Sequence, residues 1–410
     1  MKSARSILLH DPHEVDTNPS RPQHLRRGNA RVLLRLLRQH NPCSKADLVR
    51  LSGLSAPTVS SAVALLETHG LIENIGDGKS KGGRPPGLLG FHAPYAFVAG
   101  VDIGGTSLRM MLTDLSGTVV AQWSTQFVVA QRTPQAVCNL MRKGLAHLCQ
   151  QAKISLGKIL HITAGAPGIT NVDTGVVISA PNLSGWHDVP LRTLINTSMG
   201  IPALVENDTN LAAIGEQWRG AAADIQNFIF VALGTGLGAG IFLGGRAHHG
   251  ANWSAGEIGY MGLRNKGRQP LRVRSTGQLD RAIGGAGIEA EWRRLLRTQR
   301  KAQTGLVGLQ ATEIFDLAVD GHALATKIVT YTARILADCL SDLSVALDPE
   351  LIVLGGGIGC HSALREATEK LLSENEFGRP RILSSSLGTQ AQLYGAISVS
   401  LAVIEDRLIA

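Results

Sequence analysis

The sequence predicts an α/β protein in two parts, a small helical head and a larger body of two α/β lobes. Three observations predict it. Charge is uneven: residues 1–95 hold 13 Lys/Arg against 7 Asp/Glu, while 96–410 hold 27 against 25. Helical periodicity runs through 26–69. Beyond Phe97, apolar strand-like runs end in glycine-rich turns at Gly104-Gly105, at Gly234 to Gly240 and at Gly355-Gly356-Gly357. The 410 residues exceed one ordinary domain of ~150 residues. A hydrophobic content of 44% suffices for buried cores.

Composition narrows the setting. No apolar run reaches the ~18 residues that span a membrane, so no membrane partner is expected. Residues 1–20 are polar, are expected to lack fixed structure, and carry no secretory signal stretch. The 5 cysteines are scattered, which implies neither a disulfide framework nor a metal knuckle. A reducing cytoplasm is the expected compartment. The basic N-terminal quarter favours nucleic acid, because each phosphate contact releases counterions.

The head is read as residues 21–78. Val32, Leu33, Leu36 and Leu37 share a face of its first helix, which Asn41-Pro42 ends. Ser44 caps the second helix, and Asp47 adds charge to its first turn. Gly53 supplies a turn. Ser55 caps a third helix, apolar at Val59, Val63 and Leu66, which stops at His69-Gly70. Two short helices joined by such a turn form a helix-turn-helix, the third being the DNA reader. Candidate DNA contacts are Ser44, Lys45, Ser55, Pro57, Thr58, Ser60 and Ser61. Leu71 to Ile75 reads as a strand and Gly76-Asp77-Gly78 as the turn of a wing. Residues 79–95 follow as a linker. Its Arg84 lies in a Gly-Arg-Pro stretch narrow enough for a minor groove, and equally suited to a flexible tether.

The body is read as 96–410. Val98 to Asp102 is a strand entering the turn Gly104-Gly105-Thr106, followed by a second strand over 108–113. Phe228 to Phe242 repeats the plan around Gly234-Thr235-Gly236, and Leu351 to Leu354 leads into Gly355-Gly356. Such turns let backbone N–H groups approach a phosphate, and Asp102 could hold a metal-bound one. A duplicated fold closing on a nucleotide follows. Val205 to Asp208 is a strand end that delivers either a general base or a helix cap. Asn182 and Trp186 offer an amide and an indole to a sugar, and Glu257 another carboxylate.

In this order the segments resemble the ROK family: repressors, open reading frames and sugar kinases. The likeness covers nearly the whole chain from Arg26. It implies an actin-like ATPase fold for the body, and regulators that bind operator DNA as homodimers or tetramers under a sugar or sugar-phosphate effector. By position it assigns Asp102, Gly104, Gly105, Thr106, Gly234, Thr235, Gly236, Gly355 and Gly356 to nucleotide binding. It assigns Asn182, Asn207, Asp208, Glu257, Tyr260 and Asp280 to the sugar, with Asp208 the catalytic base of a kinase. Two departures stand out. Tyr260 replaces the family's histidine, and Arg272 to Asp280 replaces its cysteine-bearing zinc loop. Lacking thiolate and imidazole, this stretch implies no zinc and no other metal. Arg264, Lys266, Arg268, Arg272 and Arg274 stand there instead, facing either an anion or solvent. A sugar-responsive repressor is the expected function, with no cofactor required. The alternatives are an ATP- and magnesium-dependent sugar kinase with an accessory DNA-binding head, and a DNA-binding protein whose body only oligomerises.

Overall fold

The computed structural model describes residues 22–78, 85–128, 132–181, 183–263, 271–272, 276–298 and 304–409. The expected tail 1–20, Asn182, Arg84 and the basic residues Arg264, Lys266, Arg268 and Arg274 lie outside them.

The head contains α1 (Pro22–Gln39), β1 (Cys43–Ser44), α2 (Lys45–Ser52), α3 (Ala56–Thr68), β2 (Ile72–Asp77) and β3 (Gly87–Phe91). Ser44 closes a capping box with Asp47, and Gly53, at φ 69°, ends α2 in a left-handed turn that only glycine adopts cheaply. Ser55 caps α3. The buried face of α1 is Ala30, Leu33, Leu34 and Leu37, while Val32 is 42% exposed. Leu33 and Leu37 of the expected face are buried, but the face is centred toward Leu34, which turns Val32 to the surface. The strands form an antiparallel sheet in the order β1-β3-β2. Two boundaries move as a result. Gly76-Asp77 is not the wing's turn but part of β2, where a bulge leaves Ile75 unpaired between Asn74 and Gly76. The expected linker 79–95 contributes β3 and a helical turn at Ala93–Tyr95, since the sheet needs a partner strand for β2.

The first lobe contains β4 (Phe97–Ile103), β5 (Ser107–Asp114), β6 (Val119–Gln126), α4 (Pro134–Ala152), β7 (Ile159–Ala166), β8 (Ile169–Asn171), β9 (Val176–Ser179), β10 (His187–Val189), α5 (Leu191–Met199), β11 (Ala203–Asn207) and α6 (Asp208–Arg219). The second contains β12 (Phe228–Leu233), β13 (Leu237–Leu243), β14 (Arg246–Ala247), α7 (Gln278–Ile283), α8 (Gly285–Arg297), α9 (Ala311–Val319), α10 (Ala323–Leu347), β15 (Leu351–Gly355), α11 (Gly356–Gly359), α12 (Ser362–Leu372) and β16 (Arg381–Ser384), after which α13 (Ala391–Leu408) returns to the first lobe. Their main sheets run β11-β7-β4-β5-β6 and β14-β13-β12-β15-β16. Read from the other edge, the second order matches the first strand for strand: an antiparallel meander, then two parallel strands. This is the expected duplication, and both phosphate-type turns join the first two strands of their sheets.

The chain ends in α13, which belongs to three places at once. It lies against α6, where Gly215 faces the Ala391 carbonyl and Gly395 the Leu211 carbonyl at distances no Cβ could share. Ser400 anchors it to β7 through His161 (2.9 Å) and Thr163 (2.7 Å). Its Leu401, Ile404 and Leu408 join the head's Leu33, Leu34 and Leu37 in one apolar cluster. Head and body thus share a core rather than a tether.

Candidate functional site

A cleft of about 230 Å³ is lined by residues of both lobes, including both phosphate-type turns. The first lobe contributes Gly105, Gly168 and Asn207 to Thr209; the second contributes Gly234 to Gly238, Glu257, Tyr260, Thr276, Asp280 and Gly356. Residues spread from Gly105 to Gly356 in sequence are therefore brought to one place.

Each carboxylate has a structural reason for its position. β11 ends at Asn207, which caps α6 by accepting from the Asn210 N–H (2.9 Å) and donates its amide to the Gly168 carbonyl (2.8 Å). The cap is thus Asn207, and one amide proton is spent on the frame while the residue still lines the cleft. Asp208 starts α6, one oxygen accepting from the Thr209 N–H at 2.8 Å. Asp280 accepts from the Leu237 N–H at 2.6 Å, fixing the start of β13. Behind Asn207, Glu206 is 3% exposed. Its carboxylate accepts from the Asn207 N–H (2.8 Å), the Asn210 amide (3.1 Å) and His249 Nε2 (2.8 Å).

Burial dominates the electrostatics. It pushes the Asp208 carboxyl up to about 7, with the charges of Asp102 and Glu257 adding to it. It pushes Glu257 up to about 7 as well, helped by Asp280. Asp280 and the Tyr260 phenol also rise through burial. Near neutrality Asp208 and Glu257 each exist in both protonation states, so each can accept from or donate to a hydroxyl. The raised values have a stability consequence. Between the ordinary carboxylate range and about 7 the folded chain holds protons the unfolded chain has released, so stability falls as pH rises through that window. The melting temperature of the ligand-free protein is expected to drop from pH 5 to pH 8, and the Asp208→Asn, Glu257→Gln double variant to lose most of that slope. An unchanged slope in the double variant would refute this source.

The nucleotide end departs from expectation. Asp102 is 2% exposed and paired with Arg109, whose Nε and Nη2 stand 2.8 and 2.6 Å from one carboxylate oxygen. Arg109 sits directly opposite Asp102 across the β4–β5 pair, and also donates to the Thr389 carbonyl just before α13. A guanidinium thus engages one oxygen of the carboxylate that would hold a metal-bound phosphate and offsets its charge. Gly104 and Thr106 make backbone bonds, to Ser107 and Phe127, and do not line the cleft. Gly355 does not line it either; the Phe230 ring fills the place of a Cβ there. Trp186 is 3% exposed and gives its indole N–H to the Arg132 carbonyl, so it is core rather than sugar contact.

On the head, Ser55, Pro57, Ser60 and Ser61 are exposed along the first turns of α3, Thr58 is half-exposed, and Lys45 is exposed at the start of α2. Ser44 is the exception. It is 5% exposed and its hydroxyl is spent on the cap, so it cannot reach DNA. Sequence reasoning missed Arg109, Glu206, Glu405 and Gln392. Among the described residues no single helix is long and apolar enough to cross a membrane.

Fold and site together define a winged-helix DNA-binding head on a sugar-kinase-like, actin-fold body. Residues 98–402 match the ROK family, and residues 25–80 match the MarR family. The chain belongs to the ROK family. It is 26% identical over 396 residues to a putative xylose repressor of Caldicellulosiruptor sp., covering 93% of this chain and 96% of that one. It is 33% identical over 264 residues to a glucokinase of Halalkalibacterium halodurans, covering 63% of this chain and 79% of the enzyme. A crystal structure of a ROK family transcriptional regulator, described as a homologue of the E. coli MLC protein, superposes with a TM-score of 0.78 at 22% identity. That match covers 94% of this chain and 98% of the regulator and shows the fold. The glucokinase likeness falls short of the whole chain, whereas the repressor likeness runs through the head.

Proposed function

We propose that this protein is a sugar-responsive transcriptional repressor, binding operator DNA through α3 and an effector in the cleft between the lobes. The observation that carries the reading is α13, which lines the cleft at Gln392 and completes the head's core at Leu401 to Leu408. An effector that touches Gln392 acts on the helix against which the head is packed. Such a shared two-state element is what coupling between two sites requires. The acting unit is a homodimer or a tetramer, since a single head reads one half-site and operators pair two.

No cofactor enters the reading. Arg109 on Asp102 disfavours magnesium nucleotide, and the stretch Arg272 to Asp280 offers zinc neither thiolate nor imidazole. The kinase reading keeps Asp208 in its favour, but its metal carboxylate is paired with Arg109. The test uses an operator selected from random duplexes and a panel of D-xylose, D-glucose, N-acetylglucosamine and their terminal phosphates. One of these is expected to lower operator affinity about tenfold or more, a coupling of ordinary size, without MgATP. A panel without effect, or an effect requiring MgATP, sinks the proposal.

A further inference from the structure

Gln392 stands in the first turn of α13 and lines the cleft together with Gly105, Asp208, Gly234 and Gly356. Its Oε1 is buried, with no hydrogen-bond partner among the described residues. A buried acceptor left open is expensive, and native structures keep one only where something else satisfies it. Its surroundings state what that partner must be. The other polar side chains facing the cleft include the carboxyls of Asp208, Glu257 and Asp280, and no lysine, arginine or histidine lines it among the described residues. Three carboxyls with no cationic side chain beside them among the described residues favour a ligand that brings hydroxyl donors and little negative charge. A sugar phosphate adds negative charge that no cationic side chain of the described lining balances. An unphosphorylated polyol brings hydroxyl donors.

The base of α13 is also held by hand-offs that tie it to the site. Glu216, wholly buried at the far end of α6, accepts from the Leu387 N–H (3.1 Å) and from the hydroxyls of Ser386 (3.2 Å) and Ser385. Arg109 holds the Thr389 carbonyl. A group bound at Gln392 therefore pulls on a segment already clamped to both α6 and β5, the strand that follows the first phosphate-type turn.

We propose that Gln392 is an effector contact: its Oε1 accepts a hydroxyl of an unphosphorylated sugar, and through it the sugar acts directly on the helix that carries the head. This deepens the repressor reading and rests on it. The experiment compares wild type with Gln392→Leu, which keeps the bulk and removes the acceptor. Melting temperature is measured without ligand and with D-xylose, D-glucose, N-acetylglucosamine and their terminal phosphates, and operator affinity with and without each sugar. The expected result is a wild type stabilised by a free sugar and a variant that binds that sugar about tenfold or more weakly. The ligand-free variant should melt no lower than wild type, because an open acceptor has been removed; a structural glutamine would instead lower it. Wild-type affinity for the sugar in Gln392→Leu, a lower ligand-free melting temperature, or a response confined to sugar phosphates overturns the inference. If wild type responds to a sugar on the operator and the variant responds equally, only this inference fails. If wild type responds to none, the repressor reading fails with it.

Discussion

Replacing Ser60 with glutamate is expected to weaken operator binding by at least ~10²-fold while leaving the melting temperature unchanged. Ser60 is exposed on α3, on the surface formed with Ala56, Pro57 and Ser61. The start of this helix, capped by Ser55, presents small side chains and the positive end of the helix dipole, which suits close approach to a phosphate-lined groove. Losing one such contact costs ~1–3 kcal/mol, and a carboxylate facing phosphates adds repulsion. Glutamate is a better helix former than serine, and the side chain carries no core packing, so folding should not suffer. Gel-shift or fluorescence titration at two salt concentrations measures the loss. Wild-type affinity in the folded variant would show that another face of the head meets DNA.

What the sequence shows locally, it shows well. The caps at Ser44 and Ser55 and the stop at Gly53 sit where short polar side chains and one glycine must be. The two glycine-rich turns announce the duplication, because each interrupts an apolar run. Failures occur where distance in sequence hides the partner. Gly76-Asp77-Gly78 looks like a turn unless β3 is known to pair with β2. Ser44 looks like a DNA contact until its hydroxyl is seen capping α2. Arg109 was legible in principle: a hairpin turn at Gly104 to Thr106 places it opposite Asp102. Asp208 and Glu257 come together only when two lobes close, so family likeness, not periodicity, paired them. Glu405 pairs from α13 with arginines hundreds of residues earlier, Gln392 joins a cleft whose other walls lie as far back, and no local pattern records either.

Glu405 is expected to hold the head to the body, and Glu405→Leu to destabilise the protein by ~3 kcal/mol, the cost of stripping the partner from a buried charge. The carboxylate is 8% exposed and bridges two arginines of α1. Arg38 Nη1 reaches one oxygen at 3.2 Å, and Arg35 Nε and Nη2 reach the other at 2.9 and 2.8 Å. The two halves are unequal. Arg35 is 64% exposed, so its share is small. Arg38 is 18% exposed, and burial already pushes its pKa down against the pull of Glu405. Without that carboxylate Arg38 keeps the Leu115 carbonyl, a neutral acceptor, and the pull of Asp114, which is smaller than that of Glu405. The apolar contacts of Leu401 and Ile404 with the head remain, so the joint should loosen rather than dissolve. The diagnostic outcome is loss of cooperativity between parts. In denaturant, a probe on the head is expected to report unfolding before a probe on the lobes, where wild type is expected to give one coincident transition because head and body share a core. Effector binding in the cleft, remote from this pair, should persist while its influence on the operator shrinks. Coincident transitions and an undiminished operator response in Glu405→Leu would mean that the ion pair is incidental and the apolar seam alone joins head to body.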